Sequence, residues 1–233
     1  MIDFHSHFLP DMDDGSESLG ESLQMLEFSY NVGVKTIVST SHYIADNENV
    51  ECFVNRRKEK IDCLTNILEG INDVPKIVEG AEVAYYPGIG NDNELSRLCI
   101  GNTKYILIEM PYCRWSTITK RELLSMMLNR GMTPIIAHVD RYFKYPQCTD
   151  KIDELLDVGA VAQINGDSLT DKKQRKKVLS FIKERKTVLL GSDCHNMNDR
   201  KPNLDKAFSI IEKNLGRTYI DIIKRFSLEI LGT

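Results

Sequence analysis

Seven short apolar runs alternating with longer amphipathic stretches predict an α/β fold of parallel strands covered by helices. The runs are apolar at nearly every position, as in Ile106-Leu107-Ile108 and Pro134-Ile135-Ile136-Ala137, which is the pattern of strands buried on both faces. Strand, helix, strand repeats from one end to the other, implying parallel strands joined by right-handed crossovers. No repeat, low-complexity segment or composition shift interrupts the 233 residues, so residues 1–233 read as one domain.

In order, the strand-like runs are 2–5, 34–40, 76–84, 105–109, 134–137, 161–164 and 188–190. The helical patterns between them cover roughly 17–32, 48–71, 119–130, 150–158, 171–186 and 203–215. Several end at a glycine placed as a helix C-cap: Gly33, Gly131, Gly159 and Gly216. A last helix near 220–231 carries Ile220, Ile223, Phe226 and Ile230 at helical spacing, a face for packing on the sheet. An open doubly wound sheet and a closed barrel both fit this order.

Composition narrows the function. Thirty Lys+Arg against thirty-four Asp+Glu give a net charge of -4, the wrong sign for bulk attraction to nucleic acid. No apolar stretch is long enough to insert in a membrane, and the start, Met1-Ile2-Asp3-Phe4-His5, lacks a secretory pattern, so a cytoplasmic protein is expected. The six cysteines form no C-x-x-C pair and read as reduced thiols.

The five histidines all fall at strand C-terminal ends: His5 and His7 after the first run, His42 after the second, His138 after the fifth and His195 after the seventh. Glu82, Glu109 and Asp193 occupy equivalent positions, and Asp13 and Asp14 lie in the first loop. In a barrel of parallel strands, that end gathers side chains from every strand into one cavity. His5-x-His7 and Asp193-x-His195 put two donors on one face of an extended segment. Imidazole with carboxylate suits zinc, manganese or iron, and eight ligands suffice for two or three ions with a carboxylate such as Glu109 bridging. Two ions about 3.5–4 Å apart activate hydroxide for in-line displacement, so the pattern favours hydrolysis. Arg141 and Arg200 stand in the adjoining loops, where a forked guanidinium matches phosphate oxygens; Lys144 and Lys201 add charge without the fork.

These residues resemble the PHP (polymerase and histidinol phosphatase) superfamily and, within it, the manganese-dependent bacterial protein-tyrosine phosphatases of the CpsB/YwqE group. The resemblance rests on Met1-Ile-Asp-Phe-His-Ser-His-Phe-Leu-Pro with Asp13-Asp14-Gly15, Thr40-Ser-His-Tyr, Gly80-Ala-Glu-Val, Ile108-Glu-Met-Pro, Pro134-Ile-Ile-Ala-His, Gln163-Ile-Asn, and Gly191-Ser-Asp-Cys-His-Asn with Arg200. It implies a distorted seven-stranded (β/α) barrel and two or three divalent ions, manganese first, with iron, zinc or magnesium as alternatives. It also implies hydrolysis of phosphotyrosine on the tail of a membrane-associated tyrosine kinase that regulates capsular or exopolysaccharide synthesis. His5, His7, His42, Glu82, Glu109, His138, Asp193 and His195 match its metal ligands; Asp14, Arg141 and Arg200 match its phosphate-side positions. This chain has Ser41 and Tyr43 where the family shows T-P-H-H, and Val139 and Asp140 where it shows H-P-E-R-Y. Loss of two prolines is expected to loosen two loops of the site.

Other readings share these residues. A PHP phosphatase of a small monoester such as histidinol phosphate, or a phosphodiesterase, needs the same metals. A catalytically silent metal-binding regulator of the kinase needs no arginine clamp. Tyr43, Tyr85, Tyr86, Tyr112, Trp115 and Tyr142 offer aromatic walls for a phosphotyrosine ring, although aromatic residues also fill cores. Cys194 and Arg200 fit the C-x5-R spacing of cysteine phosphatases, but no glycine lies between them and Asp193 and Asp199 disfavour a thiolate. The basic run Lys172-Lys173-Gln174-Arg175-Lys176-Lys177 reads as a solvated helix face, with docking to an acidic partner or membrane surface as the alternative.

Overall fold

A computed structural model describes residues 1–232, without side-chain detail at 146, 147, 149 and 150. The strands are β1 (Ile2–Asp3), β2 (Thr36–Ser39), β3 (His42–Tyr43), β4 (Lys76–Glu79), β5 (Glu82–Ala84), β6 (Tyr105–Glu109), β7 (Thr133–Ile136), β8 (Val161–Asn165) and β9 (Val188–Gly191). All pair in parallel, in a three-stranded sheet β1-β2-β4 and a six-stranded sheet β3-β5-β6-β7-β8-β9. The predicted run 76–84 is therefore divided in two, while the run 34–40 holds β2 alone and β3 follows just beyond it. The physical cause is a local bulge: the Glu82 N–H donates to both the Thr40 and the Ser41 carbonyls, at 3.2 and 3.1 Å. That step turns His42 and Glu82, which are register partners, toward the strand ends.

The six-stranded sheet curls, and its last strand, β9, meets β1 of the three-stranded sheet. The Phe4 N–H donates to the Leu190 carbonyl at 3.1 Å, Asp193 N–H to His5 at 2.7 Å and His7 N–H to Cys194 at 2.8 Å. Asp3 reinforces this seam, since its buried carboxyl accepts from the Ser192 N–H and hydroxyl at 2.9 and 2.6 Å. Burial nevertheless pushes the Asp3 carboxyl up to about 6.

The helices are α1 (Leu19–Asn31), α2 (Val50–Ile67), α3 (Thr117–Arg130), α4 (Val139–Tyr142), α5 (Pro146–Asp157), α6 (Gly166–Thr170), α7 (Lys172–Arg185), α8 (Leu204–Leu215) and α9 (Arg217–Leu231). Side-chain caps start several of them: Ser18 accepts from Glu21 N–H, Asn49 from Cys52, Ser116 from Thr119 and Asp171 from Lys173. Asp171 thus offsets the charge of the basic run at the start of α7. α4 and α6 were not anticipated, because a single turn is too short to show a period.

Two apolar layers result. The larger lies between sheet and helices. The smaller fills the inside of the curl with Phe4, Val38, Leu107, Ile135 and Leu189, and Ile230 of α9 packs into it. The last helix therefore plugs the end of the sheet at which the strands begin.

Candidate metal centre

Each predicted ligand sits where a strand ends. His5 and His7 follow β1, His42 and Glu82 lie in β3 and β5, Glu109 closes β6, His138 follows β7, and Asp193 and His195 follow β9. His138 and Asp193 take left-handed backbone conformations, φ 34° and 52°. Such strain persists only where the surroundings fix it, and here it bends the chain to aim side chains into one site.

Glu82 is the hub. Its Oε2 lies 3.0 Å from His5 Nε2, 3.2 Å from His7 Nε2 and 3.3 Å from His42 Nδ1, and its Oε1 lies 2.9 Å from His138 Nε2. Asp193 Oδ1 is 3.5 Å from Nε2 of both His5 and His7, whose Nε2 atoms are themselves 3.1 Å apart. Asp14 Oδ1 is 3.4 Å from His195 Nε2 and 3.5 Å from His42 Nε2. Glu109 Oε1 lies 3.4 Å from His138 Nε2. Glu109 was offered as an example of a bridging carboxylate; Glu82 is the carboxylate that touches four imidazoles. Asp14, expected beside the phosphate, stands among the histidines.

Three groups of donors converge closely enough to share an ion: His5, His7 and Asp193; His7, Asp14, His42 and His195; and His42, Glu82 and Glu109. The outer nitrogens are already engaged, as metal-binding imidazoles require. His5 Nδ1 faces Gln163 Oε1 at 3.0 Å, His7 Nδ1 faces Asp13 Oδ2 at 2.7 Å, and His195 Nδ1 faces the Asp193 carbonyl at 3.0 Å. Donation from those atoms leaves the Nε2 lone pairs turned inward. His195 Nε2 is buried with no hydrogen-bond partner, a costly arrangement for a polar atom without a ligand. The donor set fits divalent metal.

Electrostatics agree. Burial alone lowers a histidine, but hydrogen bonds to Asp13 and Glu82 outweigh it and His7 is pushed up to about 10. Glu109 and Glu82 similarly overcome burial at His138, raising it to about 9. Burial and the neighbouring His7 charge push His195 down to about 4. Against burial, the surrounding histidines hold Glu82 and Asp193 below the usual carboxylate range. Without metal the cluster thus holds itself together by protonated imidazoles, and these protons occupy the positions that an ion would take.

Both arginines reach the rim through Asp193. Arg141, on α4, donates Nη2–H to Asp193 Oδ2, and Arg200 Nη2 lies 3.0 Å from Asp193 Oδ1. Each stays about one-third exposed. Tyr112, 37% exposed, stacks over His138 with ring centroids 6.1 Å apart and an interplanar angle of 19°. Its hydroxyl donates to Glu109 Oε1 at 3.3 Å.

The remaining aromatic candidates do not line the opening. Tyr43 is buried against Phe53, edge to face at 5.5 Å, so its place in the family's T-P-H-H pattern belongs to the core in this chain. Tyr142 is buried and donates to the Met110 carbonyl, and Trp115 is buried with its indole N–H on the Pro111 carbonyl. Tyr85 and Tyr86 are half-buried with hydroxyls held by Glu122 and Asp92. Cys194 points into the apolar core, where burial and Asp3 push its thiol far up. That is the opposite of a nucleophilic cysteine.

Residues 1–228 match the model of the capsular polysaccharide synthesis family CpsB/CapC. The chain belongs to the CpsB/CapC family. Tyrosine-protein phosphatase CpsB of Streptococcus agalactiae serotype III (strain NEM316) is 32% identical over 93% of this chain and 92% of its own. Tyrosine-protein phosphatase YwqE of Bacillus subtilis (strain 168) is 29% identical over 93% and 85%. A crystal structure from a pair described as YwqE from Bacillus subtilis and CpsB from Streptococcus pneumoniae, unique metal-dependent tyrosine phosphatases, superposes with a TM-score of 0.85. It shares 27% identity and covers 98% of this chain and 93% of that one. The CpsB/CapC homologues are thus metal-dependent tyrosine phosphatases tied to capsule synthesis.

Sequence reasoning named Asp13, Gln163, Asn165 and Asp140 but did not assign them the role of holding this CpsB/CapC site in shape. Asp13 accepts from His7, from the His42 N–H at 2.7 Å and from the Gly15 N–H at 3.0 Å. Gln163 Oε1 also accepts from the His138 N–H at 2.7 Å, and its amide donates to Asn165, which in turn donates to Asp193. Asp140, where the family has glutamate, is buried and accepts the Asn165 N–H at 2.9 Å. Together with buried Val139, it pins the loop that was expected to loosen. The available signal was polarity inside an apolar strand: Gln163 and Asn165 alternate with Ala162 and Ile164 in β8.

Proposed function

We propose that this chain is a metal-dependent phosphoric monoester hydrolase that removes phosphate from tyrosine on the tail of a membrane-associated tyrosine kinase of capsular or exopolysaccharide synthesis. The observation that carries this reading is the convergence of eight histidine and carboxylate side chains, with Asp14, beneath two partly exposed arginines. His5, His7 and Asp193 would hold one ion, and His42, Glu82 and Glu109, with His138 alongside, another. Asp14 and His195 would supply donors for a third, since His7, with Nδ1 on Asp13, has one free nitrogen and serves one ion at a time. Manganese is the first choice, with iron, zinc or magnesium as alternatives. Divalent ions there would generate hydroxide from water at neutral pH and neutralise charge on the phosphoryl oxygens.

The chain's own residues do the rest. Arg141 and Arg200 orient the phosphoryl group and match its spreading charge with forked donors. The exposed face of Tyr112 offers stacking to the substrate ring. A departing phenolate, with a pKa of about 10, needs less proton donation than an alkoxide. The seam between β1 and β9, with β2 continuing into β3 and β4 into β5, supports a single distorted seven-stranded barrel. Six free cysteines support a cytoplasmic location.

The deciding experiment compares kcat/KM on a phosphotyrosyl peptide and on histidinol phosphate, each with manganese restored to stripped protein. Preference for the peptide is expected. Preference for the small monoester assigns the site to metabolite hydrolysis, and turnover of neither assigns it to a silent regulator.

A further inference from the structure

At the end opposite the metal ligands lies a second cavity, of about 1270 Å³, which the phosphatase reading does not use. Its floor includes the first residues of β1, β2 and β4, and β4 is the outer strand of the three-stranded sheet. The Lys76 N–H donates to the Lys35 carbonyl at 2.9 Å, and the alternation of a parallel ladder then turns the N–H and C=O of Ile77 away from β2. On that side Gly101 N–H takes the Glu79 carbonyl at 2.8 Å, while the main-chain groups of Ile77 meet no partner among the described residues. An open edge of this kind is a template for a further strand.

The walls are positively charged. Arg57 is only 3% exposed; its Nη atoms bind the Gly80 carbonyl and Glu79, but its buried Nε has no partner. Lys35 and Lys224 line the same cavity. Among the described residues, Lys35, Lys76, Lys104 and Lys224 make no ion pair, and of the two lining carboxylates Glu79 is already held by Arg57.

We propose that this cavity binds an extended acidic peptide, its main chain paired with Ile77 and its carboxylates set against Arg57, Lys35 and Lys224. An open strand edge provides main-chain pairing that a small anion cannot use, and the volume exceeds the roughly 300–1000 Å³ of small-molecule sites. The inference is independent of the phosphatase reading.

The test uses the full chain and a fluorescent peptide of four Glu-Val repeats, read by anisotropy, with hydrogen exchange at 76–79 followed in parallel. Saturable binding is expected, together with slowed exchange at Ile77. The Gln-Val analogue and the Lys35→Gln/Lys224→Gln variant should each bind about tenfold more weakly or worse, as loss of complementary charge predicts. Ile77→Pro, tolerated where an edge N–H faces outward, should weaken binding while leaving the lysines in place. Absence of saturable binding overturns the proposal, as does equal affinity for the Gln-Val analogue or binding that leaves Ile77 exchange unchanged. Displacement of the peptide by equimolar inorganic phosphate, or binding to phosphatidylglycerol vesicles in place of the peptide, would reassign the site to a small anion or a lipid surface and overturn it equally.

Discussion

The two layers inside the curled sheet are built from the same strands and lie one to four residues apart along each. Phe4 precedes His5, Ala137 precedes His138, and Leu189 of β9 leads to Asp193. The lower layer is apolar, close-packed and plugged by Ile230. The upper one buries His5, His7, Glu82 and His138, ionisable groups that are costly to remove from water unless partnered. The lower layer therefore carries stability and the upper one chemistry, and substitutions should separate the two.

The largest effect is expected at the hub. His5→Ala or Glu82→Gln should lower turnover of p-nitrophenyl phosphate by about 10³-fold or more, the scale on which metal-assisted hydrolysis depends on its ion. Circular dichroism should remain native, and metal analysis should show at least one ion lost. Arg141→Lys keeps the charge but not the fork, and should lower kcat/KM by about 10–10²-fold at unchanged metal content. Asp13→Asn, which weakens the carboxylate behind His7, should cost about 10–100-fold in metal affinity, recoverable at saturating metal. In contrast, Phe4→Ala should cost about 3–5 kcal/mol of stability by urea denaturation. Its activity per metal-loaded molecule should stay near that of the parent. A Phe4→Ala protein that is stable but inactive would break the division between layers.

Much of this division was legible in the sequence. The histidines and carboxylates at strand ends announced the site, and apolar runs announced buried parallel strands. Three things were not. The breaks after Ser39 and Glu79 come from a bulge involving Thr40, Ser41 and Glu82, which no periodicity reveals. Tyr43 looked like a substrate wall because a strand end can face either core or opening, and packing against Phe53 decides it. The choice of Glu82 over Glu109 as hub depends on how five strand ends are rotated around the site, a property of the curled arrangement and not of spacing along the chain.

The most direct test of the central claim is titration of manganese into verified metal-free protein, with proton release and phosphotyrosyl-peptide hydrolysis recorded together. His7 and His138, held up to about 10 and about 9, carry protons at pH 7 in the metal-free chain. Their stabilisation of that chain is present below the unfolded value of about 6.5 and lost as pH rises through about 9 to 10. Metal must displace these protons, so affinity should fall as pH falls, with about two protons released per molecule at pH 7. Activity should rise from near zero in step with that release. Full hydrolysis before manganese is added, or metal uptake with proton release but no phosphotyrosine hydrolysis, would contradict the account.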